Sequence, residues 1–501
     1  MEKKKLYING EWIDTGSAFT VVDPGSGETL AKVASAGRDE ARRAVAAAEA
    51  AFPGWRGVTG IKRGDYLLAV AEALGRRREE IARTITEENG KPIGQSRGEV
   101  NVAIDHLRWF AEEARRGYGR VVPNQADGKR HVILQQPVGV VGLIAPWNFP
   151  LVLSVRKAAP ALAAGCTAIL RPARQTPLCA VQLAKCFEEA EVPAGVFQVI
   201  AGPGEPIADE FMENPSVRKI SFTGSTEVGK ELIRKSAKTV TNLSLELGGH
   251  APVLVFADAD LDLAIEGALI TKFRNTGQSC IASNRIYVER PVYEEFLKRF
   301  AARAGELKVG YGTEEGVDIG PLVNEEGLKT ALAHIENAVA GGGRVICGGK
   351  AVDKPGSAGA EAGDGAGSAG AAAATGAGGR KGYFLEPTVI ADVPDDAECM
   401  REETFAPVAP VIAFQSEEEA IAKANESRYG LAAYAYTSDL NRSWRLAEQL
   451  EAGTVGINDA VPSTSNCPFG GVKESGLGRE LGVEGMEAFM ETKHVSYGGV
   501  V

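Results

Sequence analysis

A chain of 501 residues exceeds what one hydrophobic core usually supports, so two large domains, or two plus an appendage, are expected. A net charge of −11 argues against a nucleic-acid binder, which would show a basic stripe. Seven scattered cysteines without CxxC or CxxH spacing argue against a disulfide framework, leave a zinc site nothing to stand on, and suit a reducing, cytoplasmic compartment.

The start, MEKKKLYINGEW, has basic residues with no apolar core behind them, unlike a signal peptide. Residues 38–118 read as mostly charged amphipathic helix, expected to cover the first sheet. Val132 to Val155 carries no formal charge, but Pro137, Pro146 and Pro150, with Gly139 and Gly142, break any membrane helix; the span reads as a buried strand followed by a loop. Helical and strand patterns then alternate, as in parallel α/β proteins. Helices are expected over 151–164, 177–190, 206–212 and 226–237, with strands at 168–170, 196–200, 218–222 and 243–247. A second block runs from "APVLVF" (251–256) to about residue 450. Within it, residues 351–380 are dominated by Gly, Ala and Ser, too poor in large apolar residues to repay ordering, and read as a flexible insertion.

Five segments carry chemistry. "SFTGSTEVGKEL" follows a strand and opens a helix, an arrangement that offers backbone N–H groups to a phosphate. As a P-loop it fails, because Glu231 stands where Ser or Thr must hold magnesium; a dinucleotide pyrophosphate fits better, and glycines serving only a tight turn are the bland alternative. "LRPARQTP" (170–177) puts Arg171 and Arg174 at the carboxyl end of a strand, where open α/β sheets bind ligands. "LELGGH" sets Glu246 in an otherwise apolar strand, where partial burial would tune it toward a general base. "APWNFP" fixes Asn148 between two prolines, and "NTGQSC" displays Cys280 with no histidine near it. Taken singly, Glu246 also fits an ion pair, Asn148 a turn and Cys280 a small core residue.

Together these segments resemble the aldehyde dehydrogenase superfamily over nearly the whole chain. The resemblance rests on "PWNFP" (146–150), "SFTGSTEVG" (221–229), "LELGG" (245–249), "GQSC" (277–280), "EETFAPV" (402–408) and "PFGGVKESGLGRE" (468–480), in the family's order and spacing. It implies that Cys280 attacks the aldehyde carbon, that Asn148 and the Cys280 backbone N–H hold the oxyanion, and that Glu246 activates the water that hydrolyses the thioester. It also implies an NAD or NADP cofactor contacted by Trp147, Arg171, Gly224, Ser225 and Gly229, with Glu403 and Phe405 at the nicotinamide end.

The sequence departs from the family where Arg171 replaces a usual lysine, Arg174 a frequent glutamate, His250 a common Asn, and Ala406 the Gly of "ETFGP". The two arginines favour NADP at least as much as NAD. Arg156, Arg274 and Ser463 match positions where succinate-semialdehyde dehydrogenases bind the distal carboxylate, so an acidic semialdehyde is the expected substrate, four carbons ahead of five. Ala282 stands where some members carry a second, redox-active cysteine. The family fold implies an α/β chain with a Rossmann-type dinucleotide-binding domain (1–117 and 139–248) and an α/β catalytic domain (249–460). A small β oligomerisation appendage with the C-terminal tail (118–138 and 461–501) would pair subunits into a homodimer or homotetramer. Transfer of the thioester to CoA and a catalytically idle, structural member are the alternatives; intact Glu246, Cys280 and Asn148 argue against both. No metal, membrane or nucleic-acid partner is expected.

Overall fold

Apolar strands alternating with amphipathic helices between residues 140 and 246 build the sheet that organises the protein. A computed structural model of the chain describes residues 3–353, 355 and 382–499. In that sheet Val140–Ile144 is central, and the order across it is Gly476–Leu477, Asn242–Glu246, Val217–Thr223, Val140–Ile144, Thr167–Arg171, Phe197–Val199, Leu6–Ile8, Glu11–Ile13. The five inner strands are parallel. In chain order they run third, second, first, fourth, fifth from one side, the doubly wound arrangement in which the order reverses beside the first strand.

The period-two alternation sends Val141 and Leu143 to one face and Val140 and Ile144 to the other, each into its own core. The 38–118 region forms four helices, Arg38–Arg56, Gly60–Arg76, Arg78–Asn89 and Ile93–Glu113. They divide between the two faces. Ala41, Ala44, Val45 and Ala48 of the first pack on one, while Leu67, Ile81 and Leu107 of the others pack on the opposite one.

The expected helices and strands of the middle segment lie at Pro150–Ala164, Leu178–Glu189, Gly204–Glu213 and Thr226–Ser236, and at Thr167–Arg171, Phe197–Val199, Val217–Thr223 and Asn242–Glu246. The 132–155 span differs from its reading. It holds two strands in two sheets, Lys129–Pro137 and Val140–Ile144, and then a helix from Pro150. Only the second strand is buried, because Lys129–Pro137 lies between Arg120–Val122 and Met490–Gly498 in an antiparallel sheet with exposed Val121, Val122, Leu134 and Tyr497.

A second sheet has seven strands, in the order Arg344–Cys347, Thr388–Ala391, Val408–Phe414, Ser283–Glu289, Ala251–Val255, Ala432–Tyr436, Thr454–Ile457, all parallel except the first. Val253, Val255 and Ile286 face one core and Leu254 and Tyr287 another. Of the 351–380 insertion, Ala351–Val352 pairs antiparallel with Phe384–Leu385; position 354 and everything from 356 to 381 lie outside the described residues. Among the described residues no helix is long and apolar enough to cross a membrane, and no group of three His, Cys, Asp or Glu side chains could hold a metal ion.

Candidate active site

The order reversal opens a crevice at the carboxyl ends of Val140–Ile144 and Val217–Thr223, the place where doubly wound sheets bind dinucleotides. Register sets Ile144 beside Phe222 and Arg171, and Thr223 beside Glu246, so one edge carries Trp147, Arg171, Gly224 and Glu246 within a few residues of each strand end. Ser225 caps the helix Thr226–Ser236 by accepting a hydrogen bond from the Val228 N–H at 3.4 Å, which leaves earlier first-turn N–H groups to face a ligand. Gly229 is buried one turn on, against the Leu247 side chain.

Buried polar atoms on this edge lack partners: Arg171 Nε and Thr223 Oγ1. Such orphans are costly unless a ligand meets them. Arg171 Nη2 donates to the Gly202 carbonyl at 3.0 Å; burial and repulsion by Arg174 hold its guanidinium down at about 10. Arg174 is exposed, its guanidinium 4.8 Å from the Phe19 ring centre. At the other end Phe405 holds a left-handed φ of 52° and meets Trp147 edge-on at 5.5 Å. A non-glycine residue in that region costs on the order of 1–3 kcal/mol, a strain that collects at ligand sites. Glu403 accepts the Gly249 N–H at 3.4 Å; burial pushes its carboxyl up to about 8, opposed by that hydrogen bond and Lys272. A dinucleotide fits these groups, with the arginines at one end and Glu403 and Phe405 at the other.

Cys280 follows three consecutive left-handed residues, Asn275, Thr276 and Gly277. Gly277 is required twice over, by a φ of 74° and because a Cβ there would lie 2.2 Å from the Ala406 carbonyl oxygen. Asn275 Nδ2 donates to the carbonyls of Asn148 at 2.9 Å and Gln278 at 3.1 Å, stitching the loop to the "PWNFP" turn. Asn148 is buried, and its own Nδ2 donates to the Gln278 carbonyl at 3.2 Å, which orients the amide and leaves its second N–H free. Burial pushes the Cys280 thiol up to about 12; Glu403 and Glu246 add to this, and Arg156 opposes it. Glu246 is buried with Oε2 unpartnered, and burial, then Glu480, hold its carboxyl well above the usual range against Lys157, Arg156 and Arg479. His250 and Ala406 are both buried; the first pairs Nε2 with the Cys399 carbonyl at 3.1 Å.

On the far side of Cys280 lies a cavity of about 320 Å³, within the range of small-ligand sites. Arg156, Arg274 and Ser463 all line it, with Cys280 and the rings of Phe149 and Phe469. Arg156 comes from the buried helix Pro150–Ala164, its guanidinium 4.8 Å from the Phe469 ring centre and its Nε unpartnered. Arg274 caps the end of Leu261–Phe273 and is exposed, its guanidinium 5.0 Å from the Phe149 ring centre.

Two buried ion pairs beside the site were not singled out from the sequence. Lys157 pairs with Glu480, beside Glu246, and Lys91 pairs with Glu99, beside Asn148. The first had a signal, since Lys157 and Arg156 are the only charged residues of a mostly apolar helix; Lys91 in "ENGKP" looks like any surface lysine.

The aldehyde dehydrogenase family model matches residues 12–363 and 360–495, and the chain belongs to that family. It is 43% identical over 498 residues to the NADP(+) succinate-semialdehyde dehydrogenase of Escherichia coli K12, covering 99% of this chain and 98% of that one. It is also 43% identical over 495 residues to the glutarate-semialdehyde dehydrogenase of Pseudomonas putida KT2440, covering 98% and 97%. The crystal structure of an E. coli NADP-dependent enzyme superposes with a TM-score of 0.93 at 43% identity, over 99% of this chain and 98% of the other.

Proposed function

We propose that the protein oxidises succinic semialdehyde to succinate, with NADP used at least as well as NAD. The observation that carries the substrate is the cavity in which Cys280 shares walls with Arg156, Arg274 and Ser463. Two guanidinium forks and a hydroxyl suit one carboxylate held at a fixed distance from the sulfur. A five-carbon semialdehyde is the second reading, supported by the equal identity to the glutarate-semialdehyde relative.

In this reading the Cys280 sulfur bonds to the aldehyde carbon and its proton leaves through water to the ionised Glu246, which passes it to solvent before the hydrolytic step and later returns the water proton to the departing sulfur. Asn148, through its free N–H, and the Cys280 backbone N–H donate to the oxygen that gains charge. A bound nicotinamide dinucleotide would supply the two-electron oxidation, as hydride acceptor, that turns the Cys280 thiohemiacetal into a thioester. Glu246 then takes a proton from water, whose oxygen attacks the Cys280 thioester, and the acid and the free thiol are released. Gly224, Ser225, Gly229 and Trp147 would hold the diphosphate, Arg171 and Arg174 the adenosine end with its 2′-phosphate, and Glu403 and Phe405 the nicotinamide ribose and ring.

The proposed domains are residues 1–117 with 139–248 for the dinucleotide and 249–460 for catalysis. Residues 118–138 with 461–501 form an appendage whose exposed apolar side chains, Val121, Leu134 and Tyr497, suit pairing into a homodimer or homotetramer in the cytoplasm. The tail does more than this, since Gly476–Leu477 pairs with Asn242–Glu246 and closes the sheet edge beside Glu246.

Arg274→Ala tests the substrate. It should raise KM for succinic semialdehyde by about tenfold or more, the loss of a charged hydrogen bond of roughly 1.5–3 kcal/mol, and leave KM for butanal unchanged. Equal effects on both aldehydes would remove the carboxylate site.

A further inference from the structure

The Lys91–Glu99 pair is buried on both sides, with side-chain exposures of 0% and 1%, and Glu99 lies at the wall of the Cys280 cavity. Burying two charges is expensive, and an apolar pair of similar volume would often be as stable, so the contacts this pair makes are informative. Glu99, on the helix Ile93–Glu113, accepts the backbone N–H groups of Leu151 at 2.9 Å and Val152 at 3.2 Å through Oε1. It thereby caps, from another helix, the start of Pro150–Ala164, which has no side-chain cap of its own. Lys91 Nζ donates to Glu99 Oε2 and to the Asn148 carbonyl, the latter at 2.9 Å. It also lies 3.9 Å from the Phe149 ring centre, and the same ring carries the Arg274 guanidinium at 5.0 Å. Every polar contact of the pair falls on residues 148–152, the turn that presents the Asn148 amide and the first turn of the helix that carries Arg156.

We propose that Lys91 and Glu99 form one positioning unit for both ends of the substrate. The pair pins the 148–152 backbone so that the Asn148 amide N–H faces the aldehyde oxygen. Through the Phe149 ring it holds Arg274 against the distal carboxylate. Glu99 lines the cavity, but its oxygens are taken, Oε1 by Leu151 and Val152 and Oε2 by Lys91, so the pair positions other groups and does not itself bind substrate; the inference rests on the reading of Asn148 and Arg274 given above.

The test is a double-mutant cycle using butanal, which needs the oxyanion donor but has no carboxylate, and succinic semialdehyde, which needs both. Asn148→Ala alone should lower kcat for butanal by about 10²–10³-fold. If it does not, the reading of Asn148 fails and the proposal with it. Lys91→Met should lower kcat for butanal by roughly tenfold to a hundredfold through misplacement of the amide. In the Asn148→Ala background the same change should cost no more than about twofold, because its route of action is already gone. Lys91→Met should also raise KM for succinic semialdehyde while leaving KM for butanal within about twofold. Should Lys91→Met fail to fold, the Lys91→Met/Glu99→Gln variant, which removes both charges together, carries the same cycle. Additive losses of kcat, or KM changes equal for the two aldehydes, overturn the positioning unit while leaving the roles of Asn148 and Arg274 standing.

Discussion

Cys280 has no histidine to take its proton, and burial among carboxylates pushes its thiol up to about 12. Burial, then Glu480, raises the Glu246 carboxyl well above its usual range. Both groups therefore ionise less readily than in water, and positive charge in the site favours their ionised forms. Arg156 already acts in that direction on both. The division of labour predicts two different failures. Cys280→Ser should abolish oxidation, since an alcohol is a far poorer nucleophile near neutral pH. Glu246→Gln should form reduced cofactor in a single burst, up to one equivalent per active site, and then stall as the acyl-enzyme; stopped-flow absorbance distinguishes the two. Steady turnover near wild type in either variant would overturn the assignment. Arg174 sets the cofactor preference in the same reading. Exposed and stacked over Phe19, it is free to swing toward a 2′-phosphate. Arg174→Glu should shift the ratio of kcat/KM toward NAD, by repulsion of that phosphate, and an unchanged ratio would remove its role.

Among the elements, much of the site was legible because its parts are local. The "SFTGSTEVG" strand–turn–helix, the "PWNFP" turn and the "GQSC" loop each carry their geometry in contiguous residues, and the structure places them around one crevice and one cavity. What could not be read was pairing at a distance. Lys157 meets a glutamate 323 positions away, a partner that no local pattern names, and Lys91 has no mark that separates it from a solvated lysine. The 132–155 span was misread for a related reason: an uncharged run does not reveal that its two halves enter different sheets, one of them half-exposed. The 351–380 insertion yields the element-scale prediction. Its flanks Val352 and Phe384 are cross-strand partners, so a short turn can join them. Replacing residues 356–380 by a short Gly-Ser connection should leave kcat/KM and Tm almost unchanged, and loss of either would assign the segment a docking role.

For the molecule as a whole, the two parallel sheets meet at the site. The first brings the cofactor crevice and Glu246 to its carboxyl edge, and the loop before a strand of the second, Ser283–Glu289, brings Cys280. Between them the cavity fixes which aldehyde reaches the sulfur. On the proposed reading a neutral aldehyde leaves the buried Arg156 guanidinium without a carboxylate, so selectivity should favour the acidic semialdehyde. The most direct measurement is kcat/KM of the unmodified enzyme with succinic semialdehyde, glutaric semialdehyde, butanal and benzaldehyde, followed by NADPH absorbance and repeated with NAD. Succinic semialdehyde should lead, glutaric semialdehyde should follow, and the neutral aldehydes should trail by at least about tenfold; a neutral aldehyde that equals or exceeds succinic semialdehyde would contradict the account.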